Sequence, residues 1–384
     1  MDAPFERRIA ACQRRLADAE ADLAVCFPSP NLTYLTGFAE SPSERHLLLF
    51  VPRRGDPTLV APSMYDDQLS ELPITALTRR LWADADDPLE IVEDVLEGYS
   101  LADDGPATPT VLVDDRMWAT FTQDLRALLP GAEFGLASAV LEPLRVRKDD
   151  VELASLRRAG DVADRVALEI RGRGEDLVGT TEAELASEID RLLAAEGGRE
   201  PAFETIVAAG PNGARPHHHP GSREIEAGDP IVLDFGAFVA ADLEAGTARY
   251  PGDQTRTIVV GEPSAEYERV HETVREAQRA AIDAVEPGAT AGEIDRAARS
   301  VIEGAGYGDA FVHRTGHGVG LEVHEPPYIV DGNDRELEPG MVFSVEPGIY
   351  LEGEFGVRIE DLVAVTENGA ERLNETPRGW ETGR

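Results

Sequence analysis

The 384-residue chain is poor in cysteine and in long apolar runs, and each shortage excludes a class of protein. Its two cysteines, Cys12 and Cys26, cannot build a disulfide framework and suit a reducing compartment. No run approaches the ~18 apolar residues of a membrane-spanning helix. The first residues, MDAPFERRIA, lack the apolar stretch of a signal peptide. We therefore expect a cytoplasmic protein that crosses no membrane.

Basic residues are scarce too, since 36 of them face 73 acidic residues for a formal net charge of -37. This balance disfavours nucleic acid and anionic membrane as partners. The acids are spread through every part of the chain beside well-patterned apolar segments, which indicates a folded surface and not a disordered tail. Lys148 is the only lysine. An acidic surface with arginine in place of lysine resembles a protein of a salt-accumulating, halophilic cytoplasm, and predicts instability at low salt.

The first part of the chain alternates helical and strand patterns. RRIAACQRRLADAEAD has apolar residues at helical spacing, whereas LAVCF, HLLLFVP, PTLVAP and TVLVDD are short apolar runs typical of buried strands. This alternation predicts an α/β domain. A charged hinge at 145–150 precedes a long amphipathic helix, and the length of the chain allows two domains. We predict a first domain at 1–145 and a second at 146–384.

The second part interleaves helices with strand pairs. EAELASEIDRLLAAE and AGEIDRAARSVIEGAG are helical in pattern, whereas PIVLDFGAFVA with TRTIVVG, and MVFSVEPGIYL with VRIEDLVAVT, read as hairpins. The pattern predicts an α+β domain with antiparallel sheet. His271, on a charged helix, and His46 are expected to be surface or partly buried residues.

Four acidic residues stand where the pattern predicts buried strands. Asp234 follows three apolar residues, Asp253 begins a strand, Glu346 ends one and Glu360 lies inside one. A single acid of this kind usually caps a turn or pairs with an arginine. A buried carboxylate is costly unless it is paired or bound to metal, and four of them with one imidazole, which the stretch HRTGHGVGLEVHEPP can supply, can enclose two divalent ions.

Five motifs carry a family resemblance: LDFG, GDQTRT, GHGVGLEVHEPP, SVEPGIY and GVRIED, in this order. They resemble the pita-bread metallopeptidases, which include Xaa-Pro aminopeptidase, Xaa-Pro dipeptidase (prolidase), methionine aminopeptidase and creatinase. NLTYLTGF in the first part looks like the creatinase/prolidase N-terminal domain. The resemblance therefore implies that fold for the first domain and a pita-bread catalytic domain after it.

The resemblance assigns a metal ligand set. Asp234 corresponds to the chelating aspartate of one ion, His317 and Glu346 to ligands of the other, and Asp253 and Glu360 to the bridges. It implies two divalent ions, by preference Mn, with Co, Fe or Zn as alternatives. A metal-bridging water or hydroxide would then attack the peptide carbonyl.

Further residues acquire roles from the same resemblance. His324 matches the histidine that meets the substrate carbonyl or oxyanion and is expected to be catalytic together with Glu346. Arg358 matches the arginine that meets the substrate's carboxylate end in prolidases. A charge partner for Glu360 is the alternative for Arg358.

The remaining histidines near the motifs divide into pocket and loop residues. His313 resembles a histidine that lines the leaving-group pocket, with a plain core or turn histidine as the alternative. In ARPHHHPGS, neighbouring strand residues point to opposite faces, so the three rings cannot converge on one ion. His217 resembles a substrate-binding histidine, and we expect His218 and His219 to belong to the loop.

These assignments predict hydrolysis of Xaa-Pro bonds, either as an aminopeptidase or as a dipeptidase, on peptides with proline at the second position. A homodimer is the family expectation. The alternative is a pita-bread module that binds a peptide or protein without catalysis. A dinuclear phosphoesterase could use the same ligand types, but the sequence shows no cationic cluster for phosphate beside them. One departure stands out: Asp234 and Asp253 are 19 residues apart, farther than the family usually has them, and we interpret the excess as an insertion at a hairpin tip.

Overall fold

The computed structural model of the chain describes residues 4–101, 108–243 and 246–383. It divides into two compact units, of which the first comprises 1–145 with 242–248 and the second 146–241 with 249–384. Among these described residues, we find no helix with the length and apolar character needed to cross a bilayer.

The first unit is built on a mixed β-sheet with helices packed against it. Its elements are α1 (Phe5–Asp18), β1 (Leu23–Cys26), α2 (Pro30–Thr36), β2 (Leu48–Pro52), β3 (Thr58–Pro62), α3 (Asp66–Ser70), β4 (Thr78–Trp82), α4 (Pro88–Gly98), β5 (Thr110–Val113), α5 (Ala119–Leu128), β6 (Glu133–Leu136) and α6 (Ser138–Arg145). The strand order is β4-β3-β2-β1-β5-β6. Strands β1, β2 and β3 are buried along their whole length, which explains their unbroken apolar sequences. The α/β prediction for this part is confirmed.

The helices of the second unit begin at side chains that cap them. They are α7 (Asp150–Gly172), α8 (Glu182–Ala195), α9 (Ala265–Asp283) and α10 (Ala291–Gly304). Asp149, Thr181 and Thr290 each form a capping box. The cap side chain accepts from the backbone N–H of a glutamate three residues later, and the side chain of that glutamate accepts from the backbone N–H of the cap residue. Each box fixes where its helix starts.

Antiparallel strands complete the second unit. They are β7 (Ile206–Ala209), β8 (Pro230–Phe235), β9 (Phe238–Ala240), β10 (Arg249–Pro251), β11 (Gln254–Val259), β12 (Gly316–Gly318), β13 (Glu325–Ile329), β14 (Val342–Val345), β15 (Gly348–Leu351), β16 (Phe355–Arg358), β17 (Asp361–Thr366) and β18 (Gly369–Arg372). The larger sheets run β11-β8-β7 and β13-β12-β14-β17-β18. The α+β prediction is confirmed.

The four singled-out acids lie at strand ends or at a strand break. Asp234 is in β8, where it is registered with Thr255 of β11. Asp253 comes immediately before β11 and Glu346 immediately after β14. The prediction that Glu360 lies inside a strand is wrong, because the chain leaves β16 and joins β17 of another sheet across residues 359–360. Glu360 therefore lies in the connection between these two strands.

His271 is more deeply buried than its charged surroundings suggested. Only 2 % of the residue is exposed, and its ring packs against Tyr267 with the centroids 5.6 Å apart. Tyr267 stands four residues earlier on α9, so both belong to the stripe that faces the core. The expectation of a surface or partly buried residue is therefore wrong for His271.

The only lysine of the chain is buried in the second unit. Lys148 Nζ donates to Glu325 Oε1 at 2.7 Å and to Val146 O at 3.3 Å, and none of its side chain is exposed. Its backbone N–H donates to Gly340 O at 2.8 Å. Removing one member of such a pair strands the other charge, which commonly costs ~3 to 5 kcal/mol.

The glycines of GHGVG serve close packing. A Cβ on Gly316 would lie 1.8 Å from Ser344 O, and one on Gly320 would lie 2.2 Å from Glu325 Oε1. Neither position can hold a side chain without displacing the neighbouring strand or the Lys148 ion pair. The spacing of this motif, which matches no phosphate loop, thus follows from close contacts with the strand backbone at Gly316 and with the Glu325 side chain at Gly320.

Candidate metal centre and substrate pocket

A cavity of about 560 Å³ in the second unit collects the residues that the sequence singled out. Its volume is that of a small-molecule site. The five predicted metal ligands and the four predicted substrate contacts all lie in its wall. The wall consists of Phe203, Glu204, Ile206, Pro216, His217, His218, His219, Asp234, Asp253, His313, Arg314, His317, Val323, His324, Glu346, Arg358 and Glu360.

Three predicted ligands already stand at metal-site spacing. One ligand atom each from Asp253, His317 and Glu360 lies within 4.8 Å of the other two, and all three residues are buried. Thr255 Oγ1 donates to Glu360 Oε2 at 2.6 Å and so orients this carboxylate. Two carboxylates and an imidazole at this spacing can hold a divalent ion.

The His317 ring presents a lone pair to the cavity. A carbonyl can only accept, so the 3.2 Å contact with Gly318 O places the ring proton on Nδ1. Burial lowers the pKa of His317 to about 3, and the ring is therefore neutral. Its bare Nε2 faces Glu346 Oε1 at 3.3 Å and Asp253 Oδ2 at 3.7 Å. These lone pairs repel one another unless a metal cation or a proton lies between them.

The surrounding carboxylates show the same need for positive charge. Burial raises the pKa of Asp253, of Glu360 and of Glu346, the last to about 7, and the charges of neighbouring carboxylates act in the same direction. Asp234 Oδ1 is buried and has no hydrogen-bond partner among the described residues. Four carboxylates and one imidazole form a hard, oxygen-rich donor set, and the residues present therefore fit divalent metal ions.

Arg358 is buried, and its guanidinium is held by the protein. It donates to Asp234 Oδ2 at 2.6 Å, to Tyr350 OH at 2.8 Å and to Thr255 Oγ1 at 3.1 Å. Of the two roles left open by the sequence, pairing with Glu360 is not what these bonds show, because Asp234 takes the guanidinium. The predicted contact with the substrate's carboxylate stays a prediction.

His313 uses both ring nitrogens within the protein. Its Nδ1–H donates to Arg314 O at 2.7 Å, and Nε2 accepts from Tyr350 OH at 2.9 Å. Burial lowers the pKa of His313 to about 4, with Arg358 acting in the same direction, so the ring is neutral. In this arrangement His313 has no free N–H for a substrate, although it lines the cavity.

His324 is the more available histidine beside the ligands. Its ring lies against His317, with the centroids 4.1 Å apart, and its side chain is exposed to the cavity. Burial of part of the ring lowers the pKa of His324, and Arg314 contributes. Within 4–101, 108–243 and 246–383, no hydrogen bond engages this ring. It is free to contact a ligand next to His317.

The three consecutive histidines have three different surroundings. His217 is exposed in the cavity wall. His218 Nε2 lies 2.8 Å from the buried carboxylate of Glu182, and His219 Nδ1 lies 2.7 Å from Glu204, a pair that is mostly exposed. The loop therefore separates the rings instead of gathering them around one ion.

Sequence reasoning missed Arg314 as a cavity residue. Its guanidinium carbon lies 4.4 Å from the ring centroid of Tyr328, and no carboxylate of the described chain lies within ion-pair distance of it. The residue stands inside the motif HRTGH, three positions before His317. An arginine beside a metal ligand was the available signal.

Tyr350 and an apolar part of the wall were missed as well. Tyr350 closes the quoted motif SVEPGIY and links Arg358 to His313 through its hydroxyl. Phe203, Ile206 and Val323 give the cavity an apolar side. Their apolar character gave no signal, because single apolar residues are common throughout the chain.

Family models match both units. The model of metallopeptidase family M24 matches residues 154–367, and that of the creatinase/prolidase N-terminal domain matches residues 8–147. The chain belongs to metallopeptidase family M24. This M24 assignment confirms the predicted family, fold class and enzyme class, a hydrolase of the metallopeptidase type.

Relatives of this M24 chain match it over almost its whole length. It is 42% identical to the probable dipeptidase PepE of Mycobacterium tuberculosis over 97% of this chain and 95% of that protein. It is 36% identical to the Xaa-Pro dipeptidase of Lactobacillus helveticus over 95% and 96%. The crystal structure of a prolidase from Thermococcus sibiricus superposes with a TM-score of 0.89 at 37% identity and covers 100% of both chains.

Proposed function

We propose that this M24 metallopeptidase is an Xaa-Pro dipeptidase that works with two divalent metal ions. The observation that carries the proposal is the convergence of Asp234, Asp253, His317, Glu346 and Glu360 on one cavity, with the bare Nε2 of the imidazole facing carboxylates. The names of the relatives, dipeptidase and Xaa-Pro dipeptidase, support the substrate class.

The charge of the ligand set supports two ions. Four carboxylates of the cavity wall belong to the proposed ligand set, and Arg358 compensates one of them, that of Asp234. Three negative charges are left, so one divalent ion would leave the buried site at -1 and two would leave it at +1, a charge that one hydroxide ion balances. Oxygen-rich ligation favours Mn, with Co, Fe and Zn as alternatives. When bound, a pair of such ions supplies an activated water and polarises the peptide carbonyl.

The other residues of the site act on the substrate and on protons. His324 stands next to the ligand His317 and is placed to donate to the carbonyl oxygen as negative charge develops there. Glu346, which accepts from Ser344 Oγ at 3.2 Å, is oriented to take a proton from the attacking water. His217 binds the substrate from the loop that carries the three consecutive histidines. Arg358 and Tyr350 hold Asp234 and His313 in place.

Proline suits this arrangement because its tertiary amide has no N–H and its ring fixes the backbone. Attack on the carbonyl at a metal centre needs no hydrogen bond from that nitrogen. Phe203, Ile206 and Val323 offer an apolar surface within the cavity for a compact ring or side chain. The proposal for proline thus combines this compatibility with the activity named for the relatives.

Restriction to dipeptides requires a cation for the substrate's carboxylate. Arg358, which the sequence predicted for this role, is held by Asp234 and Tyr350. Arg314 lines the same cavity without a carboxylate partner among the described residues. We therefore propose Arg314 as the main contact, to be tested against Arg358.

The test compares Ala-Pro, Ala-Pro amide and Ala-Pro-Ala with the Mn- and Co-loaded protein at molar salt. A dipeptidase cleaves Ala-Pro and discriminates against the two peptides that lack a carboxylate next to proline; an aminopeptidase cleaves Ala-Pro-Ala as well. Asp253→Ala serves as the metal-site control. Binding of Ala-Pro without turnover by the metal-loaded protein would contradict the proposal and favour a non-catalytic module.

A further inference from the structure

Glu182 is a buried carboxylate outside the cavity that binds the loop carrying His217. It is the first residue of α8 and is fully buried. Its Oε1 accepts from Ala209 N at 2.8 Å and Asn212 Nδ2 at 2.9 Å. Its Oε2 accepts from His218 Nε2 at 2.8 Å and Gly221 N at 3.1 Å. Both oxygens are thus saturated by a single segment, 209–221.

This carboxylate remains ionised despite its burial. Burial acts to raise the pKa of Glu182, but the hydrogen bonds from Ala209, Asn212, His218 and Gly221 outweigh it and hold the pKa below its ordinary value. Charge-assisted bonds of this kind are roughly twice as strong as neutral ones. The carboxylate therefore ties both ends of the segment and the middle of it to α8.

The His218 contact lies next to the residue that faces the substrate. His217 precedes it and is exposed in the cavity wall, whereas His219 follows it in a mostly exposed pair that can hold the loop only weakly. Pro216, on the other side of His217, restricts the backbone further. Only the Glu182–His218 bond anchors the triplet to a buried group among the described residues.

We propose that Glu182 and His218 are positioning residues that hold the His217 ring where it can contact the substrate. The proposal rests on the proposed function only for its kinetic consequence. Catalytic groups held by buried neighbours lose little freedom on binding, and a displacement of ~1 Å at such a group can cost ~100-fold in rate. The ionised Glu182 carboxylate, which accepts four hydrogen bonds, can hold the loop that rigidly.

The test is a double-mutant cycle with His218→Phe and Glu182→Gln. Phe removes the donor, and Gln turns one acceptor oxygen into a donor that faces other donors. Each variant is expected to lower kcat/KM for Ala-Pro ~10- to 100-fold with an unchanged number of bound metal ions. Because the His218 contact is one of the four that Glu182→Gln disturbs, the double variant should lose no more than the worse single variant. Independent, multiplying losses would overturn the proposal, as would loss of bound metal in step with activity.

Two further variants separate positioning from general damage. His218→Gln restores an N–H and should recover activity to within ~3-fold of the original protein. Glu188→Gln is the matched control, because Glu188 is on the same helix and pairs with Arg173 and Arg191 away from the cavity. Full activity in His218→Phe, or equal losses in His218→Phe and His218→Gln, would contradict the proposal.

A readout without substrate keeps this proposal distinct from the proposed function. In metal-free protein, the imidazole ¹H–¹⁵N resonances of His217 should move in Glu182→Gln and in His218→Phe and stay in place in Glu188→Gln. If the protein fails to cleave Ala-Pro, the dipeptidase proposal fails, and these resonances still decide whether Glu182 positions His217. Unmoved His217 resonances in both variants would overturn the positioning role.

Discussion

His271 gives the sharpest prediction about pH and stability. The ring is buried on α9, its Nε2 has no hydrogen-bond partner among the described residues, and burial lowers the pKa of His271 from 6.5 to about 4. Arg275 and Arg171 act in the same direction. Above pH 6.5 neither the folded nor the unfolded chain protonates this ring. Between 6.5 and 4 the unfolded chain binds the extra proton, so stability falls as the pH falls through this window.

The size of this effect follows from the shift. A pKa difference of ~2.5 between the unfolded and the folded protein corresponds to about 3 kcal/mol once the pH is below 4. At pH 5, where the unfolded ring is almost fully protonated and the folded ring is not, it amounts to about 2 kcal/mol. His271→Leu has a similar volume and cannot titrate. Its loss of stability on going from pH 8 to pH 5 should therefore be smaller than that of the original protein by about 2 kcal/mol.

Urea denaturation at constant molar salt measures this difference. The transition of the second unit is followed at pH 8 and pH 5 for the original protein, for His271→Leu and for His219→Leu. His219 is mostly exposed, so its variant should lose stability on acidification as the original protein does. Other titrating groups contribute equally to all three proteins and cancel in the comparison. Equal losses in the His271 variant and the original protein would refute the reasoning from burial.

Three other predictions concern salt, metal and substrate. The melting temperature should rise as NaCl increases from ~0.1 M to ~3 M, where screening suppresses repulsion within a surface of net charge -37; a salt-independent value would contradict the halophilic interpretation. Asp253→Ala should bind fewer Mn ions by mass spectrometry and lower turnover of Ala-Pro by more than ~100-fold, and full activity would sink the metal mechanism. Arg314→Met should raise KM for Ala-Pro ~10- to 100-fold while leaving KM for Ala-Pro amide nearly constant. If Arg358→Met does this instead, Arg358 is the carboxylate contact.

The sequence singled out residues of the cavity wall better than it predicted their hydrogen-bond partners. Asp234, Asp253 and Glu346 were found because an acid within or beside an apolar strand is costly, and that cost is visible locally. The residues then met in one cavity, as a shared metal site requires. Residues that break a local pattern, such as an acid in an apolar strand, can be found from sequence alone.

What the sequence could not show depends on contacts between distant segments. The bond of Glu182 to His218 joins positions 36 apart, and that of Arg358 to Asp234 joins positions 124 apart. Neither partner is marked by periodicity, because glutamate at the start of a helix and arginine in a strand have many ordinary uses. The break before β17 was missed because no glycine or proline marks residues 359–360, where the chain changes sheets.

The buried Lys148 allows local opening of the second unit to be measured by proteolysis. It is the only lysine side chain, and it stands at the start of that unit with its amine shielded by Glu325. A protease specific for lysine has a single cleavage point in the chain and can reach it only when this segment opens. Its rate of cutting would then report the opening of the segment that carries Lys148, and its products would be residues 1–148 and 149–384.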